Sequence, residues 1–159
     1  MTMTEPTLDA LLNFALDATW QAGRVTLAHF QTGLVAERKA DNSPVTIADR
    51  EAEQKLRRLI TEHWPGHSLI GEEYGHSAGD AANNHYTWII DPIDGTKSFV
   101  SGVPLYAVLL ALVKDNEPLL GVMHFPGLNE TIYAARGRGC YWNGRPAHVS
   151  NVSRLSEAV

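Results

Sequence analysis

The strongest chemical signal in the sequence is the segment DPIDGT, which follows an apolar run. Asp91 and Asp94 therefore stand together at the end of a predicted buried strand. Pro92 restricts the turn between them, and Gly95 lets a ligand approach the backbone where a side chain would intrude. Thr96 is predicted to begin a short helix, and the free N–H groups at that helix start favour an anion such as phosphate.

Two carboxylates so close together repel each other unless a cation neutralises them. Magnesium prefers oxygen ligands, so Asp91, Asp94, the Ile93 carbonyl and a third carboxylate are predicted to hold it. Glu72 is the candidate for the third carboxylate, because it follows another short apolar run and a glycine. Glu73 is the weaker alternative.

These residues also have purely structural interpretations. Asp-Pro and Asp-Gly pairs are common in turns, but GEE after one apolar run and WIIDPIDGTKSF after another favour a functional site. Asp49, three residues after Thr46, matches the acid of a helix capping box, and spacing alone favours that role over catalysis.

Other catalytic chemistries have little support in the sequence. The histidines do not pair at metal-ligand spacing on a helix, so His29, His63 and His124 are predicted to be surface or hydrogen-bonded core residues. Cys140 lacks a basic neighbour that would lower its pKa, so we expect it to be a small buried apolar residue. There is no G-x-S-x-G nucleophile motif.

Two helices are predicted ahead of the acidic segments. Apolar residues recur at helical spacing from residue 8 to about residue 30, and Gly33 follows as a helix stop. Residues 37–43 are predicted to form a loop or irregular hairpin. A second helix is expected from the Thr46 cap to about His63.

The rest of the chain has the pattern of short strands separated by turns. Because the later connections are short, we expect a largely antiparallel sheet covered by the two helices, an α+β fold. Residues 76–85 are predicted to form a surface loop. The predicted strands cover residues 68–70, 86–90, 107–113, 119–124, 131–135 and 140–142.

Length and composition predict one compact domain. The chain has 159 residues, 44% of them hydrophobic, and a net charge of −5 without a long basic run. This balance favours a small-molecule partner over nucleic acid or an anionic membrane. A single cysteine, and the lack of a recognisable signal or spanning segment in the sequence, lead us to expect a cytoplasmic protein.

Four segments of the chain form a recognisable set: VTIADREAE, GEEYG, WIIDPIDGTKSF and GVMHFPGLNETIYAARGRGCYWNGRP. Together they resemble the inositol monophosphatase family of metal-dependent phosphatases over nearly the whole chain. Within that family, the lysine after DPIDGT and the runs SFVSGVPLYAVLLAL and GVMHFP are most similar to bacterial histidinol-phosphate phosphatases of histidine biosynthesis.

The resemblance implies roles for individual residues. It assigns Glu72, Asp91 and the Ile93 carbonyl to a first magnesium, and Asp91 and Asp94 to a second. Metal-bound water would attack phosphorus in line while the second ion stabilises the departing alkoxide. The residues implied to orient or deprotonate that water are Thr96, Glu72 and Asp49. Those implied to bind the substrate are Asp94, Gly95, Thr96 and Lys39.

The sequence also departs from the family pattern. Family members continue into a second α/β half, whose Trp-Asp-x-Ala motif completes the second metal site, and no such motif occurs here. We therefore expect weak or absent turnover by this chain alone, and an exposed apolar face that favours self-association, with a homodimer possible as in relatives. The alternatives are an inositol monophosphatase or another small phosphomonoesterase, and a non-catalytic fragment that binds metal or phosphate.

Overall fold

The computed structural model describes residues 5–40, 44–80 and 85–158. Predictions for residues 41–43 and 81–84 lie outside these ranges. The helices are α1 (Leu8–His29), α2 (Ile47–His63) and α3 (Thr96–Val100), followed by a 3-10 helix at Leu155–Glu157. The two predicted N-terminal helices and the short third one are confirmed.

Ten short strands are present in the described part of the chain. They are β1 (Glu37–Arg38), β2 (Pro44–Val45), β3 (Ser68–Gly71), β4 (Gly75–Ser77), β5 (Tyr86–Asp94), β6 (Ala107–Lys114), β7 (Glu117–Phe125), β8 (Glu130–Ala135), β9 (Gly139–Trp142) and β10 (Arg145–Pro146). β1 and β2 form a separate hairpin. The others form one sheet in the order β10-β9-β8-β7-β6-β5-β3-β4.

The sheet is largely antiparallel, as predicted, with one parallel pair. β3 runs parallel to β5, and Gly71 lies opposite Ile90 in their register. After β3 the chain forms β4 at the sheet edge and then returns across β3, so that β5 pairs with the other side of β3. Their carboxyl ends therefore lie at the same edge of the sheet.

Two predicted boundaries in the sheet are wrong. β4 occupies part of the expected surface loop, because residues 75–77 pair with β3. β5 does not stop at Ile90 but continues to Asp94, with an irregularity in its pairing between Asp91 and Asp94. Proline has no N–H to donate to a strand ladder, and a bulge around Pro92 removes the need for one.

Helices α1 and α2 pack on one face of the sheet. Alanines on α1 allow close approach to the strands, and the large buried side chains include Leu56, Ile60, Trp88 and Leu110. The start of α2 has the predicted capping box. The Thr46 side chain accepts a hydrogen bond from the backbone N–H of Asp49, and the Asp49 side chain accepts one from the backbone N–H of Thr46. Burial of this apolar layer is the main favourable term in the fold.

The opposite face of the sheet is apolar and open among the described residues. Ile70, Ile89, Met123 and Trp142 are each between 41% and 50% exposed. Cys140 contributes to this face and is half-buried, not fully buried as predicted. The structure thus confirms the expected apolar face, and self-association through it stays a prediction.

The three histidines discussed in the sequence analysis lie at the surface or in hydrogen-bonded positions, as predicted. His29 pairs with Glu51 at the surface, and buried His124 hydrogen-bonds Thr131. The Nδ1 atom of His63 hydrogen-bonds the Leu59 carbonyl. Within the residues described, no helix has both the length and the apolar character needed to cross a bilayer.

His67 is a half-buried histidine that the sequence analysis did not single out. Its ring stacks on Trp64 and Tyr86, and its Nδ1 accepts a hydrogen bond from the Trp88 indole at 3.0 Å. Burial lowers the pKa of His67 to about 4. Protonation would also remove the acceptor that the indole uses.

We expect the stability of the fold to fall in acid partly because of His67. The pKa of His67 is lower in the folded state than its unfolded value of 6.5. The free energy of unfolding is therefore unaffected by His67 above that pH, and it decreases as the pH falls towards about 4. In urea unfolding at pH 7 and pH 5, the wild type should lose on the order of 1 kcal/mol more than His67→Gln. Equal losses in the two proteins would contradict this role.

Candidate metal and phosphate site

The parallel pair β3 and β5 brings two acidic residues to one edge of the sheet. Glu72 directly follows β3, and its backbone N–H donates to the Ile90 carbonyl at 3.2 Å. Asp91 is the next residue on β5. The structure therefore places Glu72 and Asp91 side by side, just beyond the last residues that pair β3 with β5.

Asp91 sits in an environment that disfavours its charged form. Burial raises its pKa to about 7, with further contributions from the charge of Glu72, a hydrogen bond shared with Glu72 and the charge of Asp94. Its Oδ1 atom is buried and has no hydrogen-bond partner among the described residues. An unpaired buried carboxylate oxygen is costly, so a cation at this point would stabilise it.

The end of β5 turns sharply after the second aspartate. Asp94 is exposed, whereas the Ile93 side chain is buried. Gly95 has φ of +92°, a left-handed conformation, and a Cβ there would lie 3.2 Å from the Leu105 carbonyl oxygen. Glycine is the residue that tolerates both conditions, so the turn from the acidic residues into α3 depends on it.

Thr96 links this turn to helix α2. Its hydroxyl lies 3.1 Å from the Ile93 carbonyl and 3.4 Å from Asp49 Oδ1. The other Asp49 oxygen accepts bonds from the backbone N–H and hydroxyl of Thr46 at 2.8 and 2.6 Å. Asp49 is thus the cap acid that the spacing indicates and also a neighbour of Thr96. Burial raises its pKa despite the Thr46 hydrogen bonds.

Lys39 reaches the same edge from the β1–β2 hairpin region. Its ammonium nitrogen lies 2.7 Å from Glu72 Oε1 and 2.5 Å from Glu73 Oε1. Partial burial opposes the charged ammonium, but the hydrogen bonds and charges of the two glutamates outweigh it and raise the pKa of Lys39. Lys39 therefore neutralises part of the acidic edge itself.

The donor set suits a hard divalent cation but is not a preformed cage. In residues 5–40, 44–80 and 85–158, no three His, Cys, Asp or Glu side chains are close enough to form a ready ligand group. The expected trio of Glu72, Asp91 and Asp94 is therefore not assembled as a ready site, and Glu72 is paired with Lys39 instead. The available donors are nevertheless all oxygen, and one Asp91 oxygen has no described partner.

The sequence analysis missed two residues that hold the Glu72 turn. Buried Glu53 accepts hydrogen bonds from the backbone N–H groups of Glu73 and Tyr74, and from Arg57. The available signal was the four-residue spacing of Asp49, Glu53 and Arg57, which places three ionisable residues on one face of α2.

The sequence matches a profile of the inositol monophosphatase family over residues 7–159. A protein named histidinol-phosphatase from Chlorobaculum parvum is 44% identical over 150 residues, 93% of this chain and 56% of that protein. One of the same name from Mycobacterium tuberculosis is 40% identical over 149 residues, covering 92% and 56%.

Solved structures give the same result for the fold. A Thermotoga maritima IMPase structure superposes with a TM-score of 0.81 at 36% identity, over 88% of this chain and 54% of that one. The chain spans about half the length of the relatives that it matches.

We expect Lys39 to compete with magnesium for Glu72. An exposed ion pair contributes up to about 1 kcal/mol, so Lys39→Gln should lower the Kd for Mg²⁺ about fivefold in isothermal titration calorimetry. Lys55→Gln, on α2, makes the same change in net charge and should leave the Kd unaltered. If both variants behave alike, the ion pair does not restrain the site.

Proposed function

The chain belongs to the inositol monophosphatase family, and from this membership and the acidic sheet edge we propose that it forms the magnesium site of a phosphatase acting on a small phosphate monoester. Members of this family are metal-dependent phosphatases. Magnesium as the ion, the residues that hold it and the substrate are parts of the proposal.

The observation that carries the proposal is the environment of the Asp91 carboxylate, which disfavours its charged form. Asp91 is half-buried, its Oδ1 atom is buried with no hydrogen-bond partner among the described residues, and it lies close to the charges of Glu72 and Asp94. A bound cation would offset both the cost of burial and the repulsion without protonation of the carboxylate. We assign Glu72, Asp91, Asp94 and the Ile93 carbonyl to hold Mg²⁺, because all supply hard oxygen donors.

Bound magnesium would supply charge neutralisation and a more acidic water. We assign Thr96 to orient that water, and its hydroxyl contacts with Asp49 Oδ1 and the Ile93 carbonyl support the assignment. Thr96 Oγ1 would accept a proton from such a water while its own proton passes to Asp49 Oδ1. The raised pKa of Asp49, caused by burial, makes it a better proton acceptor than an ordinary aspartate. Glu72 is the second carboxylate available for this step.

The substrate phosphate is assigned to the turn after β5. Gly95 and Thr96 offer backbone N–H groups next to the carboxylates, and the left-handed Gly95 leaves no side chain over them. Lys39 already lies at this edge and supplies a positive charge for a phosphate oxygen. Asp94, exposed at the end of β5, is assigned to the substrate as well as to the metal.

Histidinol phosphate is the substrate we favour. Support comes from the two relatives named histidinol-phosphatase, which are 44% and 40% identical to this chain. The Thermotoga maritima IMPase, at 36% identity, makes inositol monophosphate the second substrate to test. Both substrates are small phosphate monoesters, so the assigned phosphate and metal groups would serve either one.

Calorimetry with Mg²⁺ tests the metal assignment. Asp91→Asn keeps the shape of the side chain but removes its charge, and should weaken Mg²⁺ binding at least about tenfold, or about 1.4 kcal/mol. Asp115→Asn, at the turn after β6, is the matched control and should bind as the wild type does. Unchanged binding in Asp91→Asn would contradict the assignment.

Phosphate release from histidinol phosphate, inositol monophosphate and 3′-phosphoadenosine 5′-phosphate tests the reaction. We expect any release to require Mg²⁺, to be greatest for histidinol phosphate and to be lost in Asp91→Asn. Release that survives chelation of divalent ions, or persists in that variant, would exclude the proposed mechanism.

A further inference from the structure

Glu53 is a fully buried carboxylate with no part in the proposed reaction. It lies on α2 with 0% of its surface exposed. Its Oε2 accepts from Glu73 N–H at 2.7 Å, and its Oε1 accepts from Tyr74 N–H at 3.1 Å and from Arg57 Nε at 2.7 Å. Burying a charge is costly unless it is hydrogen-bonded. Two of these three bonds go to the backbone of the turn after β3, and the third goes to Arg57.

Arg57 extends the same hold along the turn. Besides Glu53, its guanidinium donates to the Gly75 carbonyl and to the Ser77 hydroxyl at 2.9 Å. Together, Glu53 and Arg57 fix the backbone from Glu73 to the end of β4. Arginine suits this role because its donors form a rigid planar fork.

Gly71 shows how closely the turn is fitted to α2. A Cβ at this position would lie 1.9 Å from Glu53 Oε1 and 2.8 Å from Arg57 Nη2. The glycine therefore leaves the space through which Glu53 reaches the backbone. Glu72 stands between Gly71 and the two amides that Glu53 binds, so its backbone is held from both sides.

Glu72 itself has little packing to fix its carboxylate, since 46% of its side chain is exposed. Apart from its contacts with Lys39 and Asp91, its position depends on the backbone of the turn. Asp49, one helical turn before Glu53 on the same face of α2, contacts Thr96, the first residue of α3, two residues after β5 ends. One helix face thus aligns the two strand ends that carry the acidic residues.

We propose that Glu53 is a positioning residue, which holds the turn at residues 72–75 so that Glu72 lies beside Asp91 and is available to a divalent cation. This inference rests on the proposed function for the role of Glu72. Residues that orient a metal ligand typically contribute about tenfold or more to metal affinity. A role in stability alone would leave the affinity of the folded protein for the metal unchanged.

Glu53→Gln tests this inference, with Glu51→Gln as the control on the exposed side of the same helix. In metal-free protein, amide hydrogen exchange at Glu73 and Tyr74 should accelerate about tenfold in Glu53→Gln and stay unchanged in Glu51→Gln. Calorimetry with Mg²⁺ should show a Kd raised about tenfold in Glu53→Gln alone. Urea unfolding verifies that each variant is folded.

The outcomes separate the inference from the proposed function. If the wild type binds Mg²⁺ and folded Glu53→Gln binds it with the same Kd, the inference is overturned and the proposed function stands. No Mg²⁺ binding by the wild type overturns the proposed function, and the amide exchange then tests the hold on the turn separately. If Glu53→Gln does not fold, Glu53→Asp keeps the charge but shortens the side chain, so that it cannot reach both amides, and an unaltered Kd in that variant overturns the inference.

Discussion

The repulsion between carboxylates at the ends of β3 and β5 is the constraint on which the rest of this site depends. Parallel pairing of these strands sets Glu72 beside Asp91, and the bulge at Pro92 keeps Asp94 nearby. Burial then raises the pKa of Asp91 to about 7. A fold that only needed stability would gain nothing from this arrangement, so its presence points to a cation that uses it.

The surrounding structure restrains this unfavourable cluster in two ways. Helix α2 holds it from one side, through Asp49 at Thr96 and Glu53 at the turn after Glu72. Lys39 neutralises it from the other side by pairing with Glu72 and Glu73. The first restraint is rigid and buried, and the second is a partly exposed ion pair. If this edge binds a metal as proposed, the metal would displace the partly exposed Lys39 contact while the buried framework stays in place.

Local sequence patterns predicted the elements well, because helices and caps depend on near neighbours. The Thr46 cap and the two long helices are examples. The extension of β5 to Asp94 was not predictable in this way, since Pro92 locally indicates a strand end and the pairing with β6 overrides it. β4 and the role of Glu53 were missed for a similar reason, because both depend on contacts with residues distant in sequence.

The most direct measurement is anomalous X-ray diffraction from crystals of the protein soaked in Mn²⁺, which is a hard divalent cation like Mg²⁺. The account predicts an anomalous peak within bonding distance of Asp91 and Glu72, with Glu72 released from Lys39. A peak elsewhere, or none at this edge while Glu72 stays paired with Lys39, would contradict the claim that these carboxylates form a metal site.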